Sequence, residues 1–147
     1  MNHMFKNALL RPGDVFVDVG AHIGFFSLIA SSLVGHTGKV YAFEANPSLR
    51  SFRSTRLNAP GWLSLAGPCG GKVARCFSSP REQGESGWGK LTTVPNEGNV
   101  ISMQAISLDE WHMAEGFPPV RIVKIDAEGS ELFIPQGARQ LIARSEK

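Results

Sequence analysis

Cysteine and net charge are both scarce in this chain, and each shortage argues against a class of function. The 147 residues include two cysteines, Cys69 and Cys76, with neither a CxxC pair nor a neighbouring pair of histidines. We therefore expect two reduced thiols, and neither a zinc site nor a disulfide scaffold. The formal net charge is +2, and the lysines and arginines are spread along the chain, so a nucleic-acid partner is not expected.

A long apolar run is also missing. The longest apolar segment, near residues 23–34, is interrupted by serines and falls short of the ~20 residues that span a bilayer. The N-terminus lacks the apolar run of a signal peptide. These absences predict a cytoplasmic protein without a membrane partner. The length predicts one domain over residues 1–147, with one substantial core.

Residues 15–27 organise the rest of the chain. A β-branched, apolar run surrounds Asp18 and is typical of a buried strand. Gly20 and Gly24 follow, four residues apart, and apolar residues then recur at helical spacing. The pattern predicts a strand, a glycine turn and a helix. Such a turn, at the carboxyl end of a central strand, is where α/β sheets bind nucleotide-like ligands.

The spacing within this turn bears on the kind of ligand. A dinucleotide fingerprint has the pattern G-x-G-x-x-G, whereas His22 stands here in place of the second glycine. A side chain at that point hinders the close approach of a pyrophosphate. S-adenosylmethionine, which has no pyrophosphate, is easier to accommodate than the cofactor of an NAD-dependent oxidoreductase. An ordinary tight turn that favours glycine for its own geometry is the alternative.

Two further predicted strands are each followed by a carboxylate that could contact a ligand. Residues 39–43 predict a strand that ends in Glu44, whose carboxylate can accept hydrogen bonds from both hydroxyls of an adenosine ribose. Residues 120–125 predict a β-branched strand that ends in Asp126, the acid best placed to face a ligand. For Glu44 the alternative is a surface carboxylate at a strand end. Further strands are predicted over residues 62–66, 72–77 and 99–106, and Ser107-Leu-Asp-Glu110 predicts a capped helix.

Three blocks of sequence carry a resemblance. They are PGDVFVDVGAHIG at 12–24, YAFEANP at 41–47, and ISLDE at 106–110 leading to KIDAEGSE at 124–131. Together they resemble the FkbM-type methyltransferases, within the class I S-adenosylmethionine-dependent methyltransferases. The resemblance implies an α/β fold, a Rossmann-like three-layer sandwich with a mostly parallel central sheet. It also implies S-adenosyl-L-methionine as cofactor and methyl transfer to a small-molecule hydroxyl, with sugars and small natural products both open as acceptors.

The same resemblance assigns roles to residues. Glu44 would hold the ribose, and Asp126 and Glu128 would lie at the reacting edge. The methionine end would be lined by Asp18, Gly20, His22 and Gly24. The full set predicted to bind the cofactor is Asp18, Gly20, Ala21, His22, Gly24, Glu44, Ala45, Asn46, Asp126 and Glu128. Asp126 or His22 would accept a proton, and the alternative for His22 is a backbone contact alone. The acids lack the spacing of a metal site, so no metal is predicted.

The chain departs from the family pattern in three places. Residues 67–70 lack the acid expected near the adenine, and Pro135 should interrupt a helix that the family continues. The chain also stops at Lys147, before the last strands of a full methyltransferase sheet. A C-terminally truncated domain, a reduced fold, or a homodimer through the open sheet edge are the hypotheses that follow. A non-catalytic, cofactor-binding module in an assembly is the alternative function.

Overall fold

A computed structural model describes residues 9–44, 74–78, 91–92, 101–127, 131 and 133–145. In chain order its elements are β1 (Val15–Val19), α1 (Phe25–Val34), β2 (Lys39–Phe43), β3 (Ala74–Ser78), β4 (Leu91–Thr92), β5 (Ile101–Ala105), α2 (Leu108–Ala114), β6 (Val120–Ile125) and α3 (Arg139–Ser145). The strand predicted over residues 62–66 lies outside the described residues, as do Ala45, Asn46 and Glu128.

A parallel sheet of three strands, in the order β2–β1–β6, carries the glycine turn. The register pairs Asp18 with Ala42 on one side and with Lys124 on the other. Because all three strands run in the same direction, their carboxyl ends meet at one edge of the sheet. The α/β class with a parallel sheet, and β1 at its centre, are as predicted from the sequence.

Helices cover both faces of this sheet. Alternate residues of a strand point to opposite faces, and Val17 belongs to a core cluster with Leu108 of α2 and Leu141 of α3. Phe16 belongs to a second cluster that includes Ala30 of α1. The parallel sheet and these helices thus form three layers, with the sheet in the middle, in agreement with the predicted sandwich.

A second sheet is antiparallel and has the order β4–β3–β5. Its register pairs Cys76 with Met103 and Ser78 with Leu91. Strands β3 and β5 were predicted from their β-branched and apolar residues. Strand β4 was not predicted, because two residues are too short to show the alternation that identifies a strand.

The ends of the C-terminal helices follow the local sequence signals. Ser107 Oγ accepts from the Glu110 N–H at 3.1 Å, and the Glu110 carboxylate accepts from the Ser107 N–H at 2.7 Å, which confirms the predicted capping box. Pro135 lies in a 3-10 turn, Ile134–Gly137, and α3 begins only at Arg139. Pro135 thus precedes α3 and does not interrupt it, and the described residues just before Pro135, 131 and 133, lie in a turn. Within the described ranges, no helix combines the length and the hydropathy needed to cross a membrane.

Candidate functional site

Backbone hydrogen bonds join the three strand ends at the carboxyl edge of the parallel sheet. The N–H groups of Gly20 and Ala21 both donate to the Phe43 carbonyl at 3.0 Å. On the other side, the Asp126 N–H donates to the Val19 carbonyl, also at 3.0 Å. The turn after β1 is therefore held by β2 and by β6, and side chains that follow these strands lie around it.

The two glycines of the turn adopt backbone conformations that suit glycine. Gly20 has φ +75° and Gly24 has φ +82°. A Cβ atom at Gly20 would overlap the carbonyl group of Asp126, so β1 and the residue after β6 approach more closely than a side chain allows. The N–H of Gly24 closes the turn on the Ala21 carbonyl at 2.8 Å, and α1 begins directly afterwards.

His22 sits at the centre of the turn and its backbone is strained. Its φ of +54° lies in the left-handed region, which costs a residue with a Cβ roughly 1–2 kcal/mol. Its N–H donates to Glu44 Oε2 at 2.7 Å. The backbone of His22 is thus fixed by the acid that follows β2, and its side chain is half-buried.

Glu44 is buried, with 8 % of its surface exposed, and it lies directly against the turn. The sequence places this acid at the end of β2, and the structure shows that its carboxylate holds the turn. A carboxylate can accept about four hydrogen bonds, so the bond from His22 is compatible with a bond to a ribose hydroxyl as well.

Asp18 lies beneath the turn, with a fully buried carboxylate. Ser27 Oγ donates to its Oδ2 at 2.7 Å, and Lys124 Nζ lies 2.9 Å from its Oδ1. A buried carboxylate is costly unless it is paired and hydrogen-bonded, and both conditions are met here. The side chain of Asp18 therefore faces protein groups on both of its oxygens.

Lys124 is the residue of this site that the sequence analysis missed. Its ammonium donates to the Gly20 carbonyl at 2.8 Å and lies 3.9 Å from Asp126 Oδ2, in addition to its pairing with Asp18. The side chain is 14 % exposed, whereas that of Asp126 is 70 % exposed. A lysine within an otherwise apolar part of β6 was the available signal, but its partners depend on the register between β6 and β1.

The site therefore brings together most of the described residues that were predicted to form it. Gly20, His22, Glu44 and Asp126 surround one turn, and Asp18 supports it from below. Among the residues that the structure describes, no group of three metal-binding side chains converges. The arrangement offers backbone groups and carboxylates to a ligand at the strand ends, as a nucleoside cofactor requires.

A family model described as the methyltransferase FkbM domain matches residues 18–146, which is nearly the whole chain. The match begins at the buried acid of β1 and extends past α3. This chain belongs to the FkbM methyltransferase domain family. The resemblance carried by the three sequence blocks is thereby confirmed, and with it the fold that the family implies.

Several curated methyltransferases are similar to parts of the FkbM domain described here. The 31-O-demethyl-FK506 methyltransferase FkbM of Streptomyces tacrolimicus is 39 % identical over 88 residues, which are 59 % of this chain and 29 % of that protein. The protein-L-isoaspartate O-methyltransferase of Ignicoccus hospitalis is 35 % identical over 63 residues, or 43 % of this chain and 30 % of that protein. The ribosomal RNA large subunit methyltransferase E of Chromobacterium violaceum is 44 % identical over 39 residues, or 26 % and 19 %.

These alignments are short relative to the proteins they match. The chain spans less than a third of the length of each of these three relatives. No solved structure matches it significantly. Family membership is therefore established by the family model.

Proposed function

We propose that this domain binds S-adenosyl-L-methionine at the carboxyl edge of its parallel sheet and transfers the methyl group to a hydroxyl of a small molecule. The observation that carries the proposal is the joining of three strand ends around one glycine turn, with Glu44 on the β2 side and Asp126 on the β6 side. Ligands of open α/β sheets bind at such an edge.

The charges around the turn suit this cofactor. Glu44, Asp18 and Asp126 are acids, and Lys124 is a base that contacts Asp18 and Asp126. S-adenosylmethionine carries a sulfonium and an ammonium against one carboxylate, so it is a net cation. A site with an excess of carboxylates attracts a cation. The proposed hydrogen bonds from the ribose hydroxyls to Glu44 would leave the negative charge of that carboxylate in place.

When bound, the cofactor would supply an electrophilic methyl group for transfer to an acceptor oxygen, which would lose its proton. The protein must align the acceptor and receive its proton. Asp126 is our candidate proton acceptor, because its carboxylate is exposed at the end of β6 while its backbone is fixed to β1. His22 is the second candidate, since it lies in the turn itself.

An oxygen acceptor is supported by the names of two relatives. One is an O-methyltransferase, and the other is named for 31-O-demethyl-FK506. For the present chain we propose a sugar or a small natural product as the molecule that bears the hydroxyl.

A dimer through the outer edge of β6 is a separate proposal, supported by the pairing of β6 with β1 alone in the described part of the sheet. Light scattering that gives the monomer mass would contradict it.

The test is calorimetric titration with S-adenosylhomocysteine, the product form of the cofactor. Glu44→Gln keeps an acceptor for the His22 N–H but removes the charge, and Glu44→Ala removes both. We expect the wild-type chain to bind, Glu44→Gln to bind about tenfold more weakly, and Glu44→Ala to lose more. Glu115→Ala, which removes an exposed acid of the same type from the end of α2, is the matched control and should bind as the wild type does.

The outcomes separate the proposal from its alternative. Folded wild-type protein that does not bind the homocysteine form contradicts a cofactor site at this edge. Binding without methyl transfer to any hydroxyl in a panel of sugars and natural products favours a cofactor-binding module that acts in an assembly.

A further inference from the structure

Lys124 lies where the buried and the exposed parts of the site meet. One ammonium reaches Asp18 beneath the turn, the Gly20 carbonyl within the turn and the Asp126 carboxylate at the surface, at 2.9, 2.8 and 3.9 Å. Its nitrogen also lies 5.1 Å from the centre of the Phe26 ring, in the first turn of α1. The lysine therefore joins β6 to β1, to the glycine turn and to α1.

Neutralising Asp18 does not account for all of these contacts. Ser27 already donates to one oxygen of that carboxylate, and the ammonium pairs with the other. The bond to the Gly20 carbonyl acts at the point where the turn comes so close to Asp126 that a Cβ would not fit. A positive charge at this point stabilises the Gly20 carbonyl and the exposed Asp126 carboxylate beside it.

For a ligand whose ribose lies on Glu44, the strand order indicates which end would meet this lysine. Neighbouring strands are about 4.8 Å apart, so the ends of β2 and β6 are separated by about 10 Å across β1. A cofactor with its ribose on Glu44 would extend from the β2 side across the glycine turn. Its amino-acid end would then lie over the β6 side, near the groups that Lys124 contacts.

We propose that Lys124 is a positioning residue for the amino-acid end of the cofactor. Through its contacts, Lys124 fixes the positions of the Gly20 carbonyl and the Asp126 carboxylate. The amino-acid end of the cofactor binds against these two groups. The inference rests on the proposed function, because it needs a cofactor on this edge. It predicts that loss of Lys124 weakens ligands that have the amino-acid end and spares ligands that lack it.

The test compares two ligands that differ only in that end. S-adenosylhomocysteine carries the homocysteine portion, and 5′-methylthioadenosine has the same nucleoside and thioether with a methyl group instead. Lys124→Met alone would leave Asp18 as an unpaired buried charge and threaten folding. The double variant Asp18→Asn with Lys124→Met removes both charges and is titrated beside Asp18→Asn alone, which keeps the lysine and should not show the selective loss.

We expect the double variant to bind the homocysteine form about tenfold more weakly, the size of one charge-assisted hydrogen bond, and to bind methylthioadenosine within about twofold of the wild type. Asp126→Asn, on an exposed side chain that does not endanger folding, should show the same ligand-selective loss in a smaller degree. Arg121→Met is the control, since Arg121 is an exposed base of the same strand and should alter neither affinity.

Each other result overturns the inference in a recognisable way. If the double variant binds both ligands like the wild type, Lys124 only neutralises Asp18. If it loses both ligands equally, the lysine supports the whole turn and not one end of the ligand. If the double variant does not fold, equal effects of Asp126→Asn on the two ligands contradict the inference. If the folded wild type binds neither ligand, that result contradicts the proposed function itself, before any variant is titrated.

Discussion

Two regions of this domain contain the same kinds of polar groups, yet only one has the geometry of a site. Where α2 packs on β2, Tyr41 donates to Glu115 at 3.0 Å, and the ring of His112 bonds to the Pro118 carbonyl at 2.8 Å. At the carboxyl edge of the sheet, His22 and the acids after β2 and β6 surround a glycine turn. Histidine and glutamate therefore do not by themselves mark a functional site in this protein.

The difference lies in what surrounds each polar group. The region around Trp111 is aromatic: its ring centre lies 4.7 Å from that of Tyr41 and 5.5 Å from that of Phe43, in edge-on contacts. A proline carbonyl can only accept, so His112 donates through Nε2 and serves the packing of its own helix. At the strand ends the polar groups belong to three different strands and converge. Convergence at strand ends, and not composition, distinguishes the site from the core.

The largest predicted effect is a loss of stability in the aromatic region that leaves ligand binding at the strand ends nearly unchanged. Trp111→Ala removes a buried aromatic ring from the core, and we expect the free energy of unfolding to fall by about 3–5 kcal/mol. Affinity for S-adenosylhomocysteine, measured where the variant is folded, should change little, because the strand-end hydrogen bonds do not involve this side chain. Met113→Ala, on the exposed face of the same helix, should change stability by less than about 0.5 kcal/mol. Urea titration gives both values, and a large loss of affinity in folded Trp111→Ala would erase the proposed distinction.

The second effect tests the close approach at the glycine turn. Gly20→Ala must overlap the Asp126 carbonyl, so we expect a loss of about 2–4 kcal/mol in stability, with loss of ligand binding. Gly116→Ala is the matched control: its φ is also positive, at +76°, but a Cβ there meets nothing within 4 Å. It should cost only about 1 kcal/mol and leave binding intact. Equal costs for the two substitutions would show that backbone conformation alone, and not the approach of β6, requires glycine at position 20.

How much of the fold and of the site could be predicted depends on how far apart in the sequence the residues of each feature lie. The strand, turn and helix around Asp18, and the capping box at Ser107, follow from patterns within a few residues, and the structure confirms them. The bond from Lys124 to Gly20 joins residues 104 positions apart and depends on how two strands align. No local pattern contains that register, so the lysine at the centre of the site was missed. For the same reason the contact of Tyr41 with Glu115, 74 positions apart, was not predicted.

The third prediction concerns pH and the aromatic region alone. Burial, together with the hydrogen bond to Glu115 and its charge, raises the pKa of Tyr41 to about 12. In the unfolded chain the phenol ionises near pH 10. Below that pH both states are protonated and the full stability is present; between pH 10 and 12 the unfolded state releases its proton first, so stability falls as pH rises. We expect a decline of about 1–2 kcal/mol across this window. Tyr41→Phe should lack this component.

This titration can be observed directly, because Tyr41 is the one tyrosine of the chain. The ultraviolet absorbance of tyrosinate therefore reports this residue alone. A midpoint near pH 10 in the folded protein would contradict the burial and the bond to Glu115. The affinity for S-adenosylhomocysteine, compared between wild type and Tyr41→Phe at neutral pH, should be the same if the aromatic region has no part in binding.

The smallest predicted change in stability comes from substitutions of His22, and the same variants test the role of this residue. Because its φ of +54° is strained for a side chain, His22→Gly should stabilise the domain by about 0.5–1 kcal/mol. His22→Ala retains the strain and should not stabilise. If the residue acts only through its N–H bond to Glu44, both variants keep their affinity for S-adenosylhomocysteine and their rate of methyl transfer. If the imidazole accepts the proton, both lose rate with little change in affinity, and Asp126→Asn then retains activity. The strain at this position would in that case be the cost of placing a base within the turn, as backbone strain at functional sites often is.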